Sequence, residues 1–220
     1  MYDKKYSRRD ETEPRSVVTD YVDSYLTPNQ SILDLGSGAG RHSKYLVEKG
    51  LRVTAIDMSR IGVKKTKEIL NKHPESNALV ADARHLPFED TSFDSLISNR
   101  VLDYNDDEGL ESAFSEIERV LKVDGTCLIT VRSTTQPSKE NESLVMVNEL
   151  GGKTFAVTTG DEQGNFQHYF SEQEVRDLGE RHHMEVQDIR EKQKINKRGE
   201  FKAEWQIIMR KVQEADSTKG

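Results

Sequence analysis

Cysteine is nearly absent from this chain: among 220 residues only Cys127 carries a thiol. One thiol builds neither a disulfide framework nor a cysteine-rich zinc site. Long apolar runs are missing too. No stretch approaches the roughly 20 residues that cross a bilayer. The opening "MYDKKYSRRDETEP" has no apolar core of a signal peptide. Together these absences predict a cytoplasmic protein with no membrane partner. A basic excess is also lacking. The formal net charge is −7, which counts against a phosphate-backbone partner and so against nucleic acid. No internal repeat or strong linker divides the chain. It reads as one domain over residues 1–212, with 213–220 as a disordered tail. The length suffices for one α/β core. With 32% charged residues against 34% apolar, solvated segments must lie outside that core.

What is present alternates. "RSVVTDYVDSYL" carries a helical apolar stripe at Val18, Tyr21, Val22 and Tyr25. "SILDL" reads as a buried strand and "AGRHSKYLVEKG" as a helix stopped by Gly50. "LRVTAID", "NALVADA", "SFDSLIS" and "TCLITVR" read as further strands. Ser59 caps one intervening helix, and "DEGLESAFSEIERVLKVDG" forms another that Gly125 ends. Strands alternating with helices predict an α/β fold with a parallel sheet covered on both faces. Residues 133–170 are looser and richer in polar residues and glycine. A short helix is expected around Leu144–Leu150, then two extended pieces joined at "GDEQGN". Ser171 and Glu174 form a capping box for a late helix, and "MEVQDIRE" with "EFKAEWQIIMRK" suggests a strand pair turning around Lys197–Gly199.

The stretch "LDLGSGAGR" poses the chemical question. A P-loop needs a glycine five residues before its Gly-Lys-Thr; "GGKT" has Val147 there. A dinucleotide fingerprint needs a third glycine where Arg41 stands. What remains is Gly36-x-Gly38-x-Gly40, which brings backbone amides close to a ligand at a helix N-terminus. Asp57 ends the second strand about twenty residues on, the place of a ribose-binding carboxylate. Asp82 ends the third strand and Asn99 the fourth. All lie at the C-terminal edge of the expected sheet, where open α/β folds bind ligands. Any one alone reads as a strand-end turn or cap; the four together read as a site.

With "VTAIDMS", "ADARHLPFEDTSFD" and "ERVLKVDGTCLITV", the glycine stretch resembles the class I S-adenosylmethionine-dependent methyltransferases, of the small type-11-like domain. The resemblance covers residues 31–132 tightly. It implies a doubly wound, mostly parallel seven-stranded Rossmann-like sheet with helices on both faces and the last strand antiparallel. It also implies a set of cofactor contacts. Asp34 and the turn Gly36, Ser37, Gly38 and Gly40 would hold the methionine end. Asp57 would take the ribose diol, with Met58 beside the adenine. Asp82 and Ala83 would meet the adenine edge, and the Asn99 main chain would lie near the sulfonium.

Transfer from a sulfonium leaves a neutral product, S-adenosylhomocysteine. Positioning and water exclusion can therefore supply most of the catalysis, and no universal catalytic residue is expected. On the acceptor side, "VLDYND" places Asp103 and Tyr104 beyond Asn99. Asp103 either serves the acceptor or turns the chain before the next helix. His168 is a third candidate, as base or as a packing group. No His/carboxylate set shows metal-ligand spacing, so no metal is expected. The basic residues between Arg190 and Arg198 read as a solvated hairpin. The leading expectation is a methyltransferase for a small-molecule acceptor, with residues 133–170 as a lid. The alternatives are a methyltransferase for RNA or protein, and a cofactor-binding module without catalysis.

Overall fold

"SILDL" is buried from Ile32 through Leu35, as a near-continuous apolar strand must be when helices cover both faces of a parallel sheet. The computed structural model describes residues 13–160, 162–196 and 199–213. The first helix is α1 (Ser16–Tyr25). β1 (Ser31–Leu35), α2 (Arg41–Glu48), β2 (Arg52–Asp57), α3 (Arg60–Leu70), β3 (Asn77–Val80) and β4 (Phe93–Asn99) follow. After a short 3-10 turn at Leu102–Tyr104 come α4 (Asp107–Val120) and β5 (Leu121–Arg132). β6 (Glu142–Val147), β7 (Lys153–Val157) and β8 (Phe166–Tyr169) form a separate antiparallel sheet. α5 (Glu172–Arg181), β9 (Met184–Ile195) and β10 (Phe201–Lys211) complete the chain.

The main sheet has seven strands in the order β3-β2-β1-β4-β5-β10-β9. β10 alone runs antiparallel to its neighbours β5 and β9, as the resemblance implies for the last strand. Alternation along the central strands supplies two cores. Ile97 and Leu128 face α1, α2 and α3, while Leu96 and Ile129 face α4 and α5. α1 is fixed by more than apolar contact. Its buried Tyr21 hydroxyl meets Ser95 Oγ at 2.6 Å and Thr126 Oγ1 at 2.8 Å.

Three expectations need correction. The segment at Leu144–Leu150 is not helical: its first half is β6, paired with β7. A short apolar run carries no period that separates helix from strand, and pairing decides it. Gly125 does not end α4. The helix stops at Val120, Leu121 is already extended, and Gly125 follows Asp124 (φ 64°) within β5. The capping box is half formed. Ser171 Oγ accepts from Glu174 N–H at 3.0 Å, but the Glu174 carboxylate turns to His168. The hairpin turn at 197–198 and the tail 214–220 lie outside the described residues.

Tyr21→Phe is expected to lower stability by about 1–3 kcal/mol, because the buried Ser95 hydroxyl and the half-buried Thr126 hydroxyl lose their partner. Urea denaturation should show a lower midpoint with unchanged slope.

Candidate cofactor and acceptor site

Between β1 and α2 the chain turns through Gly36, Gly38 and Gly40, with φ of 75°, 58° and 84°. Only glycine adopts this backbone readily. A Cβ on Gly36 would stand 2.1 Å from Val101 Cγ2, so that position is also closed by packing. The turn spends its amides internally. Gly36 and Ser37 N–H both donate to Ile56 O at 2.8 Å. Gly38 N–H donates to Asp57 Oδ2 at 2.9 Å, and Gly40 N–H to Ser37 O at 3.0 Å. The sequence reading had these amides facing a ligand. The end of β2 takes those of Gly36, Ser37 and Gly38, and Ser37 O takes that of Gly40. Asp57 Oδ1 also accepts from Ser59 N–H at 2.7 Å.

A cavity of about 770 Å³ opens at this edge of the sheet. Gly36, Ser37, Gly38, Asp57, Met58, Asp82, Ala83 and Asn99 line it. Asp34 and Gly40 do not. Asp34 is buried behind the turn, where Oδ2 accepts from Ser43 Oγ at 2.5 Å. Burial raises its carboxyl to about 6, against the pull of Ser43. Gly40 faces α3, where a Cβ would meet Thr66 and Ile69. Asp82 lies just past the end of β3, and Arg84 binds both its oxygens, with Nη2 2.6 Å from Oδ2. That guanidinium holds the carboxyl below its usual range, and an adenine amino group would share Asp82 with it. Asn99 Oδ1 accepts from Arg15 Nη1 at 2.7 Å and from Thr130 Oγ1 at 3.0 Å.

The acceptor-side candidates separate. Tyr104 lines the cavity. Asp103 is fully buried: Oδ2 accepts from Arg100 Nε at 2.6 Å and Oδ1 from Arg132 N–H at 2.7 Å. Its carboxylate thus holds the Arg100 side chain and the Arg132 main chain, and it is Arg100 and Arg132 that reach the cavity wall. His168 is also fully buried and off the cavity. Its Nδ1 meets Thr154 Oγ1 at 2.8 Å and its Nε2 meets Glu174 Oε1 at 2.9 Å. It straps the small sheet to α5. Asp107, His168 and Glu174 together lie within 4.8 Å, close enough for metal ligands. Glu174 sits at Nε2 and Asp107 at Nδ1, so the two carboxylates face different nitrogens of one ring.

Sequence reasoning missed much of the wall. His42, Arg15, Arg100, Arg132, Lys192, Lys194, Lys202 and Glu204 all line the cavity. Strand alternation could have found Lys192 and Lys194, two residues apart on β9. The stretch read as a solvated hairpin therefore turns part of one face to the site. His42 is buried, and its Nε2 has no hydrogen-bond partner. Desolvation first, then Arg41 and Arg15, lower it to about 3. A ring so weakly basic is no general base near neutrality.

Residues 33–129 match the family described as a methyltransferase domain. Over that stretch the chain is similar to methyltransferases, in line with the resemblance that its motifs carry. It is 32% identical over 126 residues to the uncharacterized methyltransferase YodH of Bacillus subtilis, covering 57% of this chain and 53% of that protein. It is 28% identical over 155 residues to a malonyl-[acyl-carrier protein] O-methyltransferase of Hamiltonella defensa, covering 70% and 53%. The chain thus spans about half the length of these relatives. Among solved structures, 1,6-didemethyltoxoflavin-N1-methyltransferase of Burkholderia thailandensis superposes with a TM-score of 0.73 at 19% identity. That match covers 96% of this chain and 84% of the other, and it speaks for the methyltransferase fold.

Two buried groups beside the glycine turn should leave opposite marks on stability. Asp34, raised to about 6, favours folding most below its unfolded value near 4 and loses that contribution as pH rises through about 6. His42, lowered to about 3, contributes fully above its unfolded value of about 6.5 and loses it as pH falls toward 3. Asp34→Asn should therefore remove a downward slope between about pH 4 and 6, and His42→Gln an upward one, each at most ~1.4 kcal/mol per pH unit. Urea titrations of ligand-free protein from pH 4 to 7 check both signs.

Proposed function

We propose that this chain transfers a methyl group from S-adenosylmethionine to a small-molecule acceptor and releases S-adenosylhomocysteine. One observation carries the reading. A single cavity gathers the glycine turn, Asp57, Met58, Asp82, Ala83 and Asn99 from the ends of four strands. The residues fit the cofactor. Ser37 Oγ and His42 Nε2 are buried without partners beside the glycine turn, and the polar methionine end would give them one. Asp57 lines the cavity at the end of β2, where its carboxylate would meet a ribose diol, and the half-exposed Met58 offers an apolar surface to the adenine.

When bound, S-adenosylmethionine supplies an electrophilic methyl: an acceptor lone pair forms the new bond as the C–S bond breaks, its electrons return to sulfur, and any displaced acceptor proton goes to solvent. The chain's own work is positioning. Arg15, reaching from ahead of α1 to Asn99 and to Glu204 on β10, ties the cofactor side to the acceptor side. The sheet β6–β8 packs against the 3-10 turn that carries Tyr104, the place for a lid that excludes water. Arg41, in place of a third glycine, speaks against a nicotinamide cofactor.

Calorimetry should find S-adenosylmethionine and S-adenosylhomocysteine bound and NAD not bound; the reverse preference sinks the reading. Asp57→Ala removes the ribose acceptor and frees two amides, so affinity should fall by roughly 1–3 kcal/mol. An unchanged affinity takes Asp57 out of the site. Hydrogen exchange should show residues 142–169 more protected with cofactor and acceptor present. Equal protection in both states makes this sheet a fixed structural insertion.

A further inference from the structure

We propose that the acceptor is an anion and that the Arg132 guanidinium holds its carboxylate or phosphate group. The inference rests on the methyl-transfer reading and adds the acceptor class. Arg132 closes β5 at the cavity wall. It is only 7% exposed, and its Nη1 is buried with no hydrogen-bond partner. Its side chain lies among aromatic rings, with Cζ 5.9 Å from the Tyr104 centroid and 5.5 Å from that of Tyr169. Among the described residues no carboxylate pairs with it. The acids nearby are taken. Asp103 serves Arg100 at 2.6 Å, and Glu204 serves Arg15 and, at 3.7 Å, Arg100. Glu142 accepts from the Tyr169 hydroxyl at 2.7 Å and pairs with Lys139 at 3.2 Å.

A guanidinium withdrawn from water without a counter-charge is costly, and cation–π contact offsets only part of that cost. A ligand oxyanion would complete it through two parallel N–H···O bonds. The hairpin adds charge of the same sign. Lys192 and Lys194 share one face of β9; Lys202 of β10 stands opposite Lys194 in the register, with its ammonium paired to Glu200 at 2.9 Å. All three line the cavity. In a chain of net charge −7 this local excess draws anions to the site.

The test uses the full chain saturated with S-adenosylhomocysteine, titrated calorimetrically with benzoate, phenyl phosphate and benzamide. These probes share a ring and differ in carrying a carboxylate, a phosphate or no charge. At least one anion should bind about tenfold or more tighter than benzamide, and the tighter of the two identifies the acceptor's group. Arg132→Gln should weaken the anion about tenfold or more while changing S-adenosylhomocysteine affinity less than about threefold. Arg132→Lys keeps the charge without the fork and should fall between. If Arg132→Gln does not fold, Lys192→Gln with Lys194→Gln should weaken the anion about threefold, more at low ionic strength. Equal binding of benzamide, or no anion binding, overturns the inference. So does an equal loss of S-adenosylhomocysteine affinity in Arg132→Gln, which would put the guanidinium on the methionine carboxylate. Failure of the unaltered chain to bind S-adenosylhomocysteine sinks the methyl-transfer reading instead.

Discussion

Asp57 accepts from Gly38 N–H at 2.9 Å and from Ser59 N–H at 2.7 Å, and the ligand edge of the sheet is organised around these two bonds. One carboxylate oxygen holds the glycine turn, and the other holds the first residue of the next helix cap. Ser59 Oγ in turn caps α3 by accepting from Gly62 N–H at 3.0 Å. α3 then presses back on the turn. A Cβ on Gly62 would lie 2.7 Å from Gly38 O, and that oxygen accepts from Thr66 Oγ1 at 3.1 Å. Turn, strand end and helix are thus mutually fixed before any ligand arrives, which is what preorganisation of a small site requires. The same carboxylate is therefore structural and ligand-facing at once.

The two halves of the cavity are built on different principles. The cofactor half uses backbone and small side chains at strand ends: the glycine wall, Asp57, and Ala83 beside Asp82. The half proposed for the acceptor uses long charged side chains from segments far apart in sequence. Arg15 and Glu204 are separated by 189 residues and Asp103 and Arg132 by 29. Local chemistry constrains the first half tightly, because a positive φ or a close approach tolerates one residue type. The second half is free to vary, since any segment that reaches the rim can supply a charge.

That difference explains what the sequence revealed. The order of elements, the glycine turn, Asp57 and the Ser59 cap were legible because short-range rules govern them. β6 was misread because its partner β7, not its own period, makes it a strand. Asp103 was placed on the acceptor side by its position after Asn99, yet its carboxylate points inward. Nothing in "VLDYND" tells that an arginine three residues earlier and the amide of Arg132 will claim both oxygens. His42, in the first turn of α2, is buried and lines the cavity with Nε2 unpartnered, and nothing in "AGRHSK" tells that this helix face is turned to the site. The basic face of β9 was diluted in the reading by Glu191, which belongs to the other face and accepts from Ser133 Oγ.

Glu204 shows why the antiparallel β10 matters to the chemistry. Burial works to raise its carboxyl, but Arg15 and Arg100 overcome this and hold it below the usual range, so it stays charged. Without it, Arg15, Arg100 and Arg132 would crowd one wall with a single carboxylate, Asp103, behind them. With it, Arg15 and Arg100 are held in ion pairs, and Arg132 is the arginine of the three that no described carboxylate pairs with. Among the described residues, two acids, Asp103 and Glu204, pair with these arginines, and neither pairs with the Arg132 side chain. A site that neutralised Arg132 internally would be more stable alone and would have no charge to offer. The unpaired Arg132 charge is the basis of the anion preference proposed above, and β10 supplies the carboxylate that keeps Arg15 and Arg100 from sharing in it.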